Sequence, residues 1–333
     1  MGDRLVQCVL IGGTGRSGSN ILKKVLSQND NIFALPFESR FSVDPDGVFS
    51  TFRALKQSVS PFEVDLLINR FSSLLSRLAV KSNKDRLAIL LENIARKTIY
   101  RSTHVNLREY KEWELAVHFP DFIEKKEILV KRLQYHQYTG VWPAKTGIEN
   151  KISNAFITTS DRKRLQRYFS DFLNELYDAV LCKHHKKIYL DDNTYNILFA
   201  EEIFKILPNT HLIHIVRDPR DVVASLAKQR WAPSDIETAI HFYTATMDQC
   251  IKNTKDLSED QLTVIKLEEL CHKPSSVLSN LCSKINIEVT EEMLAIKLNK
   301  ANSGRWVQEI PKNMHEKVNS ELAYYINQFG YKV

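Results

Sequence analysis

Residues 13–20 carry the densest set of groups that could bind an anion. They read Gly-Thr-Gly-Arg-Ser-Gly-Ser-Asn and follow an apolar run, so a turn brings together hydroxyls, backbone N–H groups and one guanidinium. Glycines let such a turn wrap around a phosphate, and the start of the next helix adds unpaired N–H groups. Gly13 and Gly18 have the spacing of a nucleotide-triphosphate loop, but Ser19 stands where that loop requires Lys. The segment is therefore predicted to hold a phosphate ester, with its cation at Arg16.

The same glycines leave other interpretations open. Gly13, Gly15 and Gly18 loosely fit a dinucleotide-binding fingerprint, which requires an acidic residue about 20 positions further on. Glu38 lies near that position, so the first segment alone does not separate a dehydrogenase from a phosphate-ester enzyme. A turn that merely reverses the chain is the third interpretation, and the strand and helix patterns on either side disfavour it.

A second segment, residues 211–226, combines a buried strand with an arginine and a hydroxyl. Its apolar run ends at Arg217, and Pro219 suits the first turn of a following helix. Arg217 would then lie at the carboxyl end of the strand, where open α/β sheets bind ligands. Ser225 follows two helical turns later. An arginine fork and a hydroxyl placed in this way can share one phosphate.

Together the two segments resemble the sulfotransferases that use 3′-phosphoadenosine-5′-phosphosulfate (PAPS). In that family the first loop usually ends Ser-Gly-Thr-Thr and binds the 5′-phosphosulfate; here Ser19 and Asn20 replace the two threonines and keep a hydroxyl and a side-chain donor. An Arg and a Ser bind the 3′-phosphate, and Arg217 and Ser225 match them. The resemblance covers residues 6–40, residues 188–270 and, more weakly, residues 301–331.

The sequence Glu38-Ser39-Arg40 is similar to the Glu-Thr-Arg of tyrosylprotein sulfotransferases and related members, in which the Glu is the general base. Sulfuryl transfer requires such a base, because the acceptor hydroxyl loses its proton as its oxygen attacks sulfur. A loop ion pair between Glu38 and Arg40 is the alternative interpretation. The cytosolic branch of the family uses a histidine, and the histidine candidates are His104, His118 and His136.

Residues 188–196 resemble the family's acid-Lys-Thr-Pro-x-Asn stretch. Asn193 stands where many members carry a Lys, and a Tyr replaces the Pro. In the family that Lys neutralises charge on the bridging oxygen, so Arg16 would take more of this work here, or Lys145 would enter the site. Helix capping by residues 192–194 is an equally good interpretation of the stretch.

Near the end of the chain, residues 303–306 read Ser-Gly-Arg-Trp, and residues 329–331 read Phe-Gly-Tyr. Bacterial relatives often have a Gly-Arg-Trp in a late loop that closes over the nucleotide, and a Leu-Gly-Tyr near the terminus. A packed Trp beside a solvated Arg is the alternative. The resemblance thus implies Glu38 and Arg16 as catalytic residues, and as donor-binding residues Gly15, Arg16, Ser17, Gly18, Ser19, Asn20, Arg217, Ser225, Arg305 and Trp306.

Composition narrows the class of protein. Of 333 residues, 43 % are apolar, which supports a substantial core, and 46 Lys and Arg against 40 Asp and Glu give a net charge of +6. This mild excess favours an anionic donor but is too diffuse to indicate nucleic-acid binding. No apolar run is long enough for a membrane span, no signal peptide precedes the first strand, and the five cysteines show no metal-type spacing. We therefore expect a cytoplasmic protein that needs no metal.

The elements that position these residues alternate between strands and helices, which indicates an α/β protein of the P-loop type with three layers and a central, mostly parallel sheet of about five strands. One domain is expected over residues 1–333, with a mainly helical insertion over residues 41–187 that forms the acceptor pocket and a lid. Strands are predicted at 5–11, 32–35, 187–190, 212–216 and 262–267. Helices are predicted at 17–28, 62–80, 84–100, 122–138, 161–183, 196–206, 219–229, 235–255, 274–285 and 313–329.

The predicted activity is in-line transfer of a sulfuryl group from PAPS to a hydroxyl of a carbohydrate, lipid, small-molecule alcohol or phenol. The sequence does not choose among these acceptors, and it leaves a homo-oligomer open. Two other functions stay open: a protein that binds PAPS or its product 3′-phosphoadenosine-5′-phosphate (PAP) without catalysis, and a P-loop kinase of small molecules. The missing Lys after Gly18 disfavours the kinase.

Overall fold

The structure, a computed structural model, describes residues 5–58, 60–83, 86–87, 90–91, 94, 113–137, 162–298 and 303–332. The chain divides into two compact units. The first joins Met1–Glu38 to His184–Val333, and the second is the continuous segment Ser39–Lys183 between them. The second unit falls on the stretch that the sequence predicts to be a helical insertion.

Five parallel strands form the centre of the first unit, in the order β2-β3-β1-β4-β5. Neighbouring strands pair in register, for example Gln7 opposite Ile188 and Leu10 opposite Leu212. Each strand lies within two residues of its predicted bounds, and the predicted α/β fold with a parallel sheet is confirmed. The strands are β1 Gln7–Gly12, β2 Ile32–Ala34, β3 Ile188–Asp191, β4 Thr210–Val216 and β5 Leu262–Lys266.

The α-helices are numbered in chain order. Helices α2 to α6 belong to the second unit, and so does α7 except for its last residue. They are α1 Ser19–Leu26, α2 Arg40–Val43, α3 Val48–Gln57, α4 Pro61–Ala79, α5 Leu115–His118, α6 Phe122–Leu133, α7 Arg162–His184, α8 Ala200–Ile206, α9 Pro219–Leu226, α10 Ile236–Thr254, α11 Leu267–His272, α12 Pro274–Lys284, α13 Glu291–Ala295, α14 Trp306–Glu309, α15 His315–Glu321 and α16 Ala323–Gln328. Short 3-10 helices occur at Thr194–Phe199 and Lys312–Met314.

Three helix predictions need correction. The helix predicted at 196–206 starts as the 3-10 helix Thr194–Phe199, and the helix predicted at 313–329 is divided at the buried Leu322. A capping box of Ser234 and Glu237 is the sequence expectation for α10. Instead the Asp235 carboxylate accepts the Thr238 N–H at 2.8 Å, because it stands one residue nearer to the first turn.

The core of the first unit surrounds the middle of the sheet. Because a parallel strand is buried on both faces, its residues form nearly continuous apolar runs, and β4 is buried along its whole length. Helices α1 and α12 supply the apolar side chains that pack against these strands. The central members of the cluster are Val9, Ile11, Leu22, Leu26, Ile213, Ile215, Leu278 and Leu281.

The core of the second unit is mainly aromatic. Phe169 of α7 is fully buried, and its ring lies 5.6 Å from that of Phe52 and 5.9 Å from that of Phe71. A second group of rings brings Phe41 to within 5.8 Å of Phe119. These aromatic side chains therefore pack the interior of their own unit. The helices predicted at 62–80, 122–138 and 161–183 correspond to α4, α6 and α7, whereas most of the helix predicted at 84–100 lies outside the described residues.

Candidate active site

The loop after β1 has a backbone that only small residues allow. The Gly13 N–H donates to the Thr194 carbonyl at 2.8 Å, and a Cβ at Gly13 would lie 2.7 Å from the Ile215 carbonyl oxygen. Gly18 precedes α1 with φ 105°, and a Cβ there would lie 2.7 Å from Leu267. Arg16 also adopts a left-handed conformation, with φ 58°. The loop is thus curved tightly between the end of the sheet and the start of α1.

The N–H groups of this loop are available for an anion. Among the described residues, none of the backbone N–H groups from 14 to 20 donates a hydrogen bond to another part of the protein. Those of residues 19 and 20 also lie at the start of α1, where the helix dipole favours negative charge. The predicted phosphate-binding segment therefore has the backbone chemistry of an anion site.

Arg217, directly after β4, and Ser225, in α9, both contact this loop. The Asp218 carboxylate accepts the Arg220 N–H at 3.0 Å and so caps α9 directly after Arg217. Arg217 donates through Nη1 to the Arg16 carbonyl at 3.4 Å, and Arg16 Nε donates to Ser225 Oγ at 3.0 Å. Segments about 200 residues apart in sequence are therefore adjacent at the carboxyl edge of β1 and β4.

The Asp221 carboxylate connects this cluster to the late part of the chain. It accepts the N–H groups of Gly304 and Trp306 at 2.8 and 2.9 Å, and it lies 3.8 Å from an Arg217 nitrogen. Burial raises the pKa of Asp221 above its ordinary value, while the two amides and Arg217 oppose that rise. One side chain of α9 thus holds both the predicted nucleotide loop and the predicted phosphate-binding arginine.

Within that late loop, Arg305 and Trp306 already have protein partners. Arg305 pairs with Glu309 at 2.9 Å and is 56 % exposed. Trp306 is buried; its ring lies 4.7 Å from the Arg220 guanidinium carbon and 4.9 Å from the His315 ring. This arrangement is the packed Trp and solvated Arg that the sequence offers as an alternative. A role for either residue toward the donor stays a prediction.

Residues 191–196 support the loop from the end of β3. Asn193 is fully buried and accepts the Tyr195 N–H at 3.3 Å, so it caps the 3-10 helix. Asn196 Nδ2 donates to the Ile11 carbonyl at 3.1 Å and to Asp191 at 3.0 Å. The position at which many relatives carry a Lys is therefore occupied by a capping residue.

Glu38 lines a cleft of about 380 Å³ in the first unit. Beside it lies Lys23, which sequence reasoning did not single out: its Nζ is 2.8 Å from Asp192 Oδ1 and 3.1 Å from the Phe37 carbonyl. Helical spacing gives a signal for it, because Lys23 follows Asn20 by three residues and so lies on the same face of α1. The cleft is lined by Asn20, Lys23, Lys24, Ser27, Ala34, Leu35, Pro36, Phe37, Glu38 and Asp192.

Trp231 is a second residue that the sequence interpretation missed. Its side chain is 55 % exposed and makes an edge contact with Phe242 at 6.3 Å. A Cβ added to Gly15 would lie 3.1 Å from the indole Cη2, so the ring is adjacent to the phosphate-binding loop. An aromatic residue shortly after α9 has no spacing signature that would have identified it.

The alternative bases belong to the second unit. His118 ends α5 and is half-buried, and His136 is exposed with its ring 4.7 Å from that of Tyr135. Arg40, the possible partner of Glu38 in a loop ion pair, lies 3.6 Å from Asp44. His104 and Lys145 lie outside the described residues.

Within the described ranges, no helix combines the length and the apolar character needed to cross a membrane. The same residues contain no group of three or more His, Cys, Asp or Glu side chains that could hold a metal ion.

The parallel sheet, with its glycine-rich loop after the central strand, defines an α/β protein of the phosphate-binding-loop class. The model of the Sulfotransferase family matches residues 8–291, most of the chain, and the protein belongs to that family. It is accordingly a sulfotransferase, an enzyme that transfers a sulfuryl group to an acceptor substrate. The predicted family is confirmed, whereas the role of the Glu38-Ser39-Arg40 motif stays a prediction.

Several solved structures are similar to this chain over nearly its whole length. The sulfotransferase domain from the curacin biosynthetic pathway has a TM-score of 0.48 and 14 % identity, covering 99 % of this chain and 100 % of that one. The sulfotransferase domain from the Synechococcus PCC 7002 olefin synthase has a TM-score of 0.47 and 14 % identity, and the match covers 100 % of this chain and 98 % of that one. Sulfotransferase STF9 from Mycobacterium avium has a TM-score of 0.46 and 13 % identity, and the match covers 99 % of this chain and 78 % of that one. No curated protein matches the sequence.

Proposed function

We propose that this sulfotransferase takes its sulfuryl group from PAPS and transfers it to an acceptor hydroxyl, with Glu38 as the general base. The observation that carries the proposal is the contact between the two predicted phosphate-binding segments, in which Arg16 Nε lies 3.0 Å from Ser225 Oγ. A donor with phosphate groups at two positions needs two basic groups near one another. The adjacent turns after β1 and β4 supply them.

Each end of the donor has its own residues in this proposal. The 5′-phosphosulfate binds the N–H groups of residues 14–20, together with the side chains of Ser17, Ser19 and Asn20. The 3′-phosphate binds Arg217 and Ser225 and so distinguishes PAPS from ATP, which lacks that group. The support is the set of free N–H groups in the loop and the position of Arg217 at the carboxyl end of β4.

The chemistry follows from these positions. The acceptor oxygen attacks sulfur, the bond between sulfur and the 5′-phosphate oxygen breaks, and the acceptor proton passes to Glu38. Arg16 and the loop N–H groups stabilise the negative charge that develops on the leaving phosphate. The acceptor is a hydroxyl of a small molecule, carbohydrate or lipid.

The donor assignment is tested by Arg217→Ala. A charge-assisted hydrogen bond contributes about 1.5–3 kcal/mol, so PAP should bind about 10- to 150-fold more weakly to the variant. Adenosine 5′-phosphate, which lacks the 3′-phosphate, should lose less than about threefold by the same reasoning. Isothermal titration calorimetry measures both, with Lys252→Ala as a control that removes an exposed cation. Equal losses for the two nucleotides would remove Arg217 from the 3′-phosphate site.

The catalytic assignment is tested by Glu38→Gln. General-base catalysis contributes about 10²- to 10⁴-fold, so turnover should fall by at least about 100-fold while PAP affinity stays within a few-fold. PAP release from PAPS, with water or a panel of hydroxyl acceptors, gives the rate. Unchanged turnover would move the base to a histidine.

A further inference from the structure

Lys23 is held in the Glu38 cleft by two partners from different elements. Its ammonium pairs with Asp192, which follows β3, and also donates to the carbonyl of Phe37, which follows β2. The Lys23 side chain is only 14 % exposed and that of Asp192 only 1 %. These mostly buried contacts therefore link α1 to the segments that follow β2 and β3.

The Phe37 carbonyl belongs to the peptide unit that leads into Glu38. A hydrogen bond at this carbonyl restricts the backbone on which Glu38 is carried, and Asp192 in turn fixes the ammonium that makes it. Lysine has three N–H donors. Two have partners in the described contacts, so the third can be directed into the cleft that Glu38 lines.

We infer that Lys23 is a positioning residue for Glu38, which it holds in place through the Phe37 carbonyl with the help of Asp192. The inference rests on the proposed function, because it gives Lys23 its role through the general base. The competing explanation is that Lys23 and Asp192 form a buried ion pair that contributes only to folding. The two explanations differ in what happens when both charges are removed together.

Lys23→Met alone leaves the buried Asp192 carboxylate uncompensated, and such a change destabilises a protein whatever the role of the pair. The double variant Lys23→Met/Asp192→Asn removes both charges and avoids that penalty. We expect it to melt within a few degrees of the wild type and to bind PAP within about threefold. Its turnover should nevertheless fall by about tenfold or more, because a small misplacement of a catalytic group is costly.

The decisive measurement is PAP release from PAPS with water as acceptor, set beside the PAP dissociation constant for each variant. Lys23→Arg keeps a cation that can donate to both partners, and it should restore turnover to within about fivefold of the wild type. Lys205→Met is the control: it removes a lysine from an exposed ion pair with Glu201 and should leave both values unchanged.

Wild-type turnover in the double variant would overturn the inference and leave the pair a structural one. Failure of Lys23→Arg to restore turnover would also count against it. Glu38→Gln, measured alongside, separates the two proposals. If Glu38→Gln keeps wild-type turnover, the proposed base is wrong; if it is inactive while the double variant is fully active, only the role of Lys23 fails.

Discussion

The two units of this protein differ in where their polar and aromatic side chains lie. The first places charged and polar side chains at one edge of a parallel sheet, where Arg16, Arg217 and Ser225 meet although they lie far apart in sequence. The second fills its interior with aromatic rings, such as those of Phe52 and Phe169. Parallel pairing brings the carboxyl ends of the strands to one edge of the sheet, where the proposed donor site lies. Aromatic packing among helices fills the core of the second unit.

Phe169→Ala should test this difference between the two units most strongly. Truncating a fully buried aromatic ring costs about 3–5 kcal/mol, since it removes the contacts with Phe52 and Phe71 and leaves a cavity. Denaturant unfolding measures the loss, and Arg167→Ala, an exposed change on the same helix, should cost less than about 0.5 kcal/mol. PAP affinity below the unfolding transition should stay unchanged. A weaker PAP complex in folded Phe169→Ala would show that the aromatic core also shapes the donor site.

The second prediction concerns a polar group buried inside the sheet of the first unit. Burial lowers the pKa of His214 from its ordinary 6.5 to about 4, and among the described residues its Nε2 has no hydrogen-bond partner. The folded state therefore disfavours protonation, so His214 makes the protein lose up to about 3 kcal/mol of stability as the pH falls from 6.5 to 4.

His214→Leu should remove that part of the pH dependence. Unfolding free energies measured at pH 7 and pH 4.5 should converge in the variant, whereas His272→Leu, an exposed change, should keep the wild-type difference. The same difference in His214→Leu and in the wild type would mean that other groups govern acid sensitivity.

The smallest effect is expected for Ser225→Ala. A hydroxyl in a phosphate site contributes about 1–1.5 kcal/mol, so PAP should bind about five- to tenfold more weakly. Unfolding stability should change by less than about 0.5 kcal/mol, because Ser225 is only partly buried. Titration calorimetry and denaturant unfolding on the same sample separate the two effects. A large stability loss with unchanged PAP affinity would place Ser225 with the packing residues rather than with the site.

Most of the fold could be predicted from sequence because each strand is a short apolar run next to a turn signal. All five strands lie within two residues of their expected positions. The signal was clearest for β4, because burial along its whole length leaves the continuous run Leu-Ile-His-Ile-Val. The ends of the helices were harder to predict than the strands. The division at Leu322 depends on a buried side chain at one position, which periodicity does not reveal.

The residues of the candidate site also differ in whether they could be predicted from sequence. Arg16, Arg217 and Ser225 could be proposed from sequence because each follows a strand or lies in the helix after it, and the sheet brings strand ends together. Lys23 lies on the same face of α1 as Asn20, but that spacing does not indicate its contact with Asp192, and Trp231 has no spacing signature at all. Side chains that are positioned by tertiary contacts alone are not revealed by sequence patterns.

The partners of the Asp221 carboxylate are synthesised at different times during translation. Two of its partners, the amides of Gly304 and Trp306, are translated more than 80 residues after Arg217. A ribosome that has reached Leu298 has already produced every strand of the sheet and both basic turns, but Asp221 still lacks those amides. The proposed donor site of the growing polypeptide therefore gains these two contacts only after the sheet that carries it has been synthesised.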